Sequence, residues 1–154
     1  MSHSIAIRPL AAADIPSIAR WVTATPLWQR YHVTESSFAE RLTDGLANNA
    51  TIYAADRAGQ AVGFVWLVER GAFNRGAYVQ LIGVRENVRG SGIGRALMEW
   101  VEANASARDI FLLVSDFNTE AQKFYARLGY RQVGKLDDFV VQGISELIYW
   151  KRCA

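Results

Sequence analysis

The sequence predicts a single α/β domain built on a mixed sheet, and three observations carry that expectation. The 154 residues are 51% hydrophobic, which suits one globular domain with a full-sized core rather than two domains or a disordered chain. Strand-like apolar runs alternate along the chain with segments whose apolar residues recur at i, i+3, i+4 and i+7. One helical segment separates the strand-like runs 77–84 and 110–114, an order that calls for a parallel pair with a right-handed crossover.

Taken in order, Ile5, Ile7 and Leu10 alternate around Arg8 and Pro9 and predict a first strand that ends at proline. Asp14 is placed to cap a helix carrying Ile15, Ile18, Ala19 and Val22, with Pro16 in its first turn and a stop near Thr25 and Pro26. Ser37 with Glu40 resembles a capping box for a second helix, whose buried stripe is Phe38, Leu42 and Leu46. Residues 51–56 and 61–69 read as a hairpin across Arg57-Ala58-Gly59-Gln60, and a further strand, 77–84, follows the turn 71–76. A helix over 91–105 presents Ile93, Leu97, Trp100 and Val101 on one side, and the run 110–114 is apolar on both faces, like a fully covered strand. Asn118 starts the next helix, with Ala121, Phe124, Tyr125 and Leu128 on one face and Gly129 ending it in the left-handed conformation. Strands over 130–136 and 146–151 complete the chain. No repeat, linker or low-complexity segment interrupts this order.

The bulk properties narrow the function classes. Seventeen basic against fifteen acidic side chains leave a net charge of +2, and no stretch gathers five or six like charges, so no nucleic-acid partner is expected. The only cysteine, Cys153, has no partner in the chain for a disulfide. Residues 1–10 lack the charged start and apolar stretch of a secretory signal, and the apolar runs are too short to span a bilayer. A soluble cytoplasmic protein without membrane attachment is expected, and no metal-ligand set is assigned.

The chemistry concentrates in Val88-Arg89-Gly90-Ser91-Gly92-Ile93-Gly94-Arg95, between a strand and a helix. Glycines there remove every Cβ that would keep an anion from the backbone, while the helix start aims unpaired N–H groups and about half a positive charge at the same place. A phosphate or pyrophosphate is the natural guest. The dinucleotide fingerprint would need glycine where Arg95 stands, and the nucleotide P-loop needs a Gly-Lys-Ser/Thr ending that is absent.

What the segment does meet is Q/R-x-x-G-x-G/A, through Arg89, Gly92 and Gly94, and this resembles the coenzyme A pyrophosphate loop of the GCN5-related N-acetyltransferase (GNAT) family. Asn118-Thr119-Glu120-Ala121, Phe124-Tyr125 and Leu128-Gly129-Tyr130 resemble the same family's asparagine-capped helix ending in an L-G-Y/F turn. The resemblance implies a single-domain GNAT-like α/β fold over 1–154, with a mixed, mostly antiparallel central sheet, a splayed parallel strand pair and about four flanking helices. It implies direct transfer of an acetyl group from acetyl-CoA to a primary amine of a small molecule, peptide or protein, without a metal, and it leaves a homodimer open.

The resemblance also distributes roles. Ile82 and Val84 offer main-chain groups to the pantetheine arm and the thioester oxygen, a contribution typically worth about 3 kcal/mol per oxyanion donor. Gly90, Gly92, Ile93 and Gly94, with Arg89 and Arg95, hold the pyrophosphate; either arginine can instead be a solvated surface charge, and Arg95 reads equally so. Gly83 suits either a bulge that opens the cleft or a close packing contact. Tyr125 is the implied general acid, and by its spacing alone it would simply continue the apolar stripe of its helix. Asn118 bonds the pantetheine or caps its helix. Glu69 is the first candidate base, with a solvated strand-end charge as the alternative, and His32 is the second. Trp28, Tyr31 and His32 form an acceptor wall or pack in the core. Asp137 and Asp138 attract an ammonium group or serve turn chemistry. A non-catalytic acyl-CoA sensor is the alternative function: it would keep the glycine loop and need no proton donor.

Overall fold

The structure, a computed structural model, describes residues 4–154. Seven strands, β1 (Ile5–Pro9), β2 (Thr51–Arg57), β3 (Gln60–Ala72), β4 (Gly76–Val84), β5 (Asp109–Ser115), β6 (Arg131–Leu136) and β7 (Glu146–Arg152), form one mixed sheet in the order β1-β2-β3-β4-β5-β7-β6. The helices are α1 (Ile15–Thr23), α2 (Pro26–Gln29), α3 (Glu35–Ala47), α4 (Ile93–Asn104) and α5 (Thr119–Arg127). This is the α/β architecture expected from the sequence, with β4 and β5 as its parallel pair. The single-turn α2 adds to the helices expected; four residues are too few to show a 3.6-residue period. The chain divides into two compact units, one running through Leu67 and including Leu81–Ala103, the other comprising Val68–Gln80 and Asn104–Ala154.

In the first unit, α1 and α3 bury Ile18, Val22, Phe38 and Leu42 with Phe64 of β3. Each of these side chains contributes about 1.5–3 kcal/mol by leaving water. Asp14 stands at the N-cap position of α1 but does not cap it, a correction to the sequence reading. Its carboxylate takes two bonds from the Arg8 guanidinium, at 2.7 and 2.9 Å, and one from the Ala11 N–H at 2.8 Å, closing a 3-10 turn ahead of the helix. The cap of α3 is likewise three residues earlier than expected. Thr34 and Ser37 exchange side-chain and backbone bonds of 3.0 and 3.1 Å, so Ser37 occupies the third helical position rather than the cap. On α4, Ile93 and Leu97 approach β3 where Gly63 lacks a side chain; a Cβ there would lie 2.9 Å from Ile93. Trp100 lies on Tyr53 with ring centroids 4.1 Å apart rather than joining the fully buried stripe, which Met98 completes.

In the second unit, β4 and β5 pair only from Ala77 to Val79 against Ile110 to Leu112, while β5 pairs β7 along its whole length. Ile110, Leu112 and Val114 are buried and Phe111 and Leu113 half-buried, so β5 is fully covered on one face, not on both as its run of apolar residues predicted. The two hairpins turn more tightly than expected. Ala58 and Gly59, with φ of 55 and 82°, join β2 to β3, and Phe73, Asn74 and Arg75, the first two at 56 and 55°, join β3 to β4. Successive left-handed residues match the twist of the flanking strands.

Candidate functional site

The glycine segment lies wholly in the first unit. β4 ends at Val84, a 3-10 turn covers Glu86–Val88, and α4 begins at Ile93 rather than at Ser91 as predicted. The reason is conformational. Gly90 and Gly92 hold φ of +81 and +86°, outside the helical region, so the helix cannot start before them. The first helical bond runs from the Ala96 N–H to the Gly92 carbonyl at 3.0 Å, which leaves the N–H groups of Ile93, Gly94 and Arg95 ahead of the i→i−4 ladder.

No atom lies within 4 Å of the position a Cβ would take on Gly90 or on Gly92. These glycines are therefore required by backbone conformation and not by packing, and the space beside them is open. The Ser91 hydroxyl donates to the Val88 carbonyl and holds the turn. Arg89 is exposed, its Nε 3.5 Å from the Val84 carbonyl. Arg95, also exposed, stands 3.8 Å from Glu99 one turn along the helix. Ile82 and Val84 are half-buried. For Gly83 the packing reading has a direct cause, since a Cβ there would lie 2.7 Å from Phe64 Cε1.

In the second unit the Asn118 side chain accepts from the Ala121 N–H at 3.2 Å, a helix cap as the spacing predicted. Its helix ends in paired bonds, Tyr130 N–H to the Tyr125 carbonyl at 3.0 Å and Gly129 N–H to the Ala126 carbonyl at 3.1 Å, with Gly129 at φ +96°. That Schellman closure needs glycine at this position and leaves the Tyr125 ring fixed. Tyr125 is the one fully buried residue of α5, packed on Phe124, Tyr130 and Tyr149 at 5.0, 5.9 and 6.4 Å. Burial pushes its phenol well above the usual range, because the anion would be stripped of water.

The nominated acidic residues all have local duties. Glu69 accepts from the Ser106 N–H at 2.9 Å, beside the start of β5. Asp138, at φ 54°, accepts from the Gly143 N–H at 2.6 Å. Asp137 accepts from the Ser145 hydroxyl at 2.8 Å, and that bond, with the nearby Lys135 charge, holds its carboxyl below the usual range. In the first unit Trp28 packs edge-on against the buried Phe38 at 5.6 Å, as a core contact. Tyr31 is half-buried, and His32 is exposed in a left-handed turn whose N–H bonds the Gln29 carbonyl at 3.0 Å. The sequence reading passed over Glu146, which is 5% exposed and stands opposite the equally buried Ser115. Its only signal was a carboxylate placed directly ahead of the apolar run Leu147 to Trp150. Among the described residues no group of three or more His, Cys, Asp or Glu side chains is placed to hold a metal ion.

A family model described as "Acetyltransferase (GNAT) family" matches residues 15–130, well over half of the chain and including both motif segments. The chain belongs to the GNAT family. Within it, the chain is 32% identical over 88 residues to the 5-NmdU N-acetyltransferase of Pseudomonas phage PaMx11, covering 57% of this chain and 62% of that protein. It is 29% identical over 133 residues to the mycothiol acetyltransferase of Thermobispora bispora, covering 82% of this chain and 41% of that one. The GNAT chain thus spans less than two thirds of the length of these relatives. The structure of yncA from Salmonella typhimurium, solved with its cofactor acetyl-CoA, shares the fold at a TM-score of 0.74 and 14% identity, over 97% of this chain and 94% of that one. No described helix is long and apolar enough to cross a membrane.

Proposed function

We propose that the protein is an N-acetyltransferase that carries an acetyl group from acetyl-CoA directly to a primary amine, and that residues 1–154 act as one catalytic domain. The observation that carries this reading is the loop before α4: two left-handed glycines facing open space, followed by three amides outside the helix ladder. A diphosphate is the group such a surface accepts, since the backbone dipoles converge where no side chain intrudes. Gly90, Gly92, Ile93 and Gly94 would hold it through main-chain N–H groups, with Arg89 and Arg95 supplying charge from exposed positions. Acetyl-CoA supplies the activated acyl group; the remaining steps belong to the protein.

Ile82 and Val84 would present main-chain groups to the carrier, the Val84 N–H toward the developing oxyanion. Tyr125 would hold a proton for the departing sulfur. The burial that keeps this phenol protonated also makes it a weaker acid, so it serves best as a hydrogen-bond donor to a thiolate whose reference pKa is about 8.5. Asn118 caps the helix that carries Tyr125 and so positions it. Asp137 is a poor base, because its bond to Ser145 favours the ionised form. Trp28 would line the acceptor side from the edge of the core, with Tyr31 and His32 following it in the chain.

The test is thiol release from acetyl-CoA across a panel of amines, with calorimetric titration of coenzyme A in parallel. Turnover with at least one amine is expected. Tight binding of the carrier with no turnover on any amine of a broad panel would instead mark a non-catalytic acyl-CoA sensor, and no binding at all would remove the assignment of the loop.

A further inference from the structure

A second polar surface lies in the unit formed by Val68–Gln80 and Asn104–Ala154, and nothing in the acetyl-transfer chemistry uses it. The β3–β4 hairpin turns at Phe73 and Asn74; β5, parallel to β4, starts at the same end, β7 finishes there and β6 starts there. From β4 to β6 these strand ends span roughly 14 Å, three strand spacings. Arginines that are far apart in sequence thereby meet. Arg70 and Arg75 flank the hairpin tip, Arg108 precedes β5, Arg131 opens β6 and Arg152 closes β7, against two carboxylates, that of Glu69, held by the Ser106 N–H, and that of Asp109. Arg152 pairs with the Asp109 carboxylate at 2.9 Å, leaving the other arginines in excess.

Flat rings are interleaved with these charges. Phe73 is 82% exposed and stands edge-on to Phe111 at 5.8 Å. Trp150, the cross-strand partner of both Phe111 and Arg131, has the Arg131 and Arg152 guanidiniums 4.8 and 5.7 Å from its ring centroid. Phe73 holds φ of 56°, a conformation that costs a bulky side chain energy and that a tight hairpin ordinarily gives to asparagine or glycine. Apart from its edge contact with Phe111 the ring is turned into solvent, so packing accounts for only part of its placement in that strained position. Beside it lies an open, polar depression of about 500 Å³ lined by Arg70, Phe73, Asn74 and Arg75. Among the described residues no ion pair engages Arg70 or Arg75.

We propose that this end of the sheet binds single-stranded nucleic acid, with phosphates on Arg70, Arg75 and Arg131 and a base stacked on Phe73. A second copy of the chain would set like charges against one another, whereas a strand of phosphates and flat bases complements both features. No run of basic residues announces the surface, because each strand end contributes one or two arginines. It is separate in sequence from the acyl-carrier loop and does not depend on the acetyltransferase reading.

The test is fluorescence polarisation of the full chain with a dye-labelled twelve-residue oligothymidylate at 50 and 200 mM salt. Three phosphate contacts predict a slope near −2 in log K against log salt, or about a twentyfold weakening over that range. Arg70→Ala with Arg75→Ala should cut the salt effect to about threefold. Phe73→Asn, which suits the left-handed turn and so preserves folding, should weaken binding at least about fivefold at fixed salt. The proposal is overturned by no binding at 50 mM salt, by an unchanged affinity in Phe73→Asn, or by displacement of the oligonucleotide at equal charge by anionic lipid vesicles.

Discussion

A matched pair of glycines isolates the role of the loop. Gly92, at φ +86°, and Gly59, at φ +82°, both have no atom within 4 Å of the Cβ position, so alanine meets no steric obstacle at either. What remains is the cost of a left-handed alanine, about 1–2 kcal/mol, and it is the same in the two variants. For a chain of this length that corresponds to a fall in Tm of about 2–8 °C, read by differential scanning calorimetry. The variants differ in what the new methyl group faces. At Gly59 it enters open space at the β2–β3 turn; at Gly92 it enters open space at the start of α4, where the Ile93, Gly94 and Arg95 amides lie outside the helix ladder. Displacing a diphosphate from even two charge-assisted amide bonds costs about 3 kcal/mol or more, so coenzyme A should bind at least a hundredfold more weakly to Gly92→Ala. Gly59→Ala should keep its affinity. Equal calorimetric affinities for the two variants, at equal thermal loss, would refute an anion site built from this backbone.

Tyr125→Phe should lower kcat roughly a hundredfold while leaving coenzyme A affinity within twofold. Because burial raises the phenol's pKa, the wild-type rate should show no alkaline fall below about pH 10 from loss of the Tyr125 proton; a limb near pH 9 that disappears in the phenylalanine variant would contradict the raised value. Asp14→Asn removes charge-assisted bonds to Arg8 and should destabilise the protein by about 1.5–3 kcal/mol at pH 7. The folded Asp14 carboxyl is depressed, first by the Arg8 bonds, so its stabilisation is present above the unfolded value near pH 3.9 and lost as pH falls through the lower folded value; acid titration of the two proteins should therefore converge below about pH 4. Gly83→Ala forces a methyl to 2.7 Å from Phe64 and should cost about 1–3 kcal/mol in urea unfolding, partly recovered when Phe64 is also reduced to leucine.

Much of this was legible in the sequence because it is locally encoded. The buried stripe of α1, the half-buried face of α5 around the buried Tyr125, the Asn118 cap and the Gly129 stop each depend on residues within one or two turns of each other, and their spacing survives in the structure. The glycine loop was legible for the same reason. The misread details are those in which a neighbour competes for the same group. Asp14 had the position and chemistry of a cap, but a guanidinium six residues back binds the carboxylate more strongly than a helix amide does. Ser37 and Glu40 satisfied a capping pattern that Thr34 and Ser37 satisfied one turn earlier. The start of α4 was placed at Ser91 because periodicity does not register that Gly90 and Gly92 have positive φ. Least legible were the partners of the exposed carboxylates and the gathering of arginines, which depend on strand order and not on spacing.

The carboxylates bear on which amine the proposed acetyl transfer could use. Glu69 bonds an amide 37 residues away, Asp138 bonds the Gly143 amide across its own loop, and Asp137 is depressed by the Ser145 hydroxyl. For Asp137 the bond favours the ionised form, as its lowered pKa shows, and a carboxylate so stabilised is a weak base. If no group of the protein takes its proton, the acceptor has to arrive neutral. For a lysine-like amine with a pKa about 10.4 that costs about 4.6 kcal/mol at pH 7; for an amine near pKa 8 it costs about 1.4. The difference is a factor of roughly two hundred in the reactive fraction, more than one good binding contact would restore. An acetyl transfer run in this way would favour weakly basic acceptors, and its pH profile would be informative: kcat/KM should climb tenfold per pH unit and level off at the pKa of the amine itself. A plateau that stays at one pH while amines of different basicity are exchanged would show instead that a group of the protein takes the proton, and Glu146, the buried carboxylate opposite Ser115, is the residue to replace first.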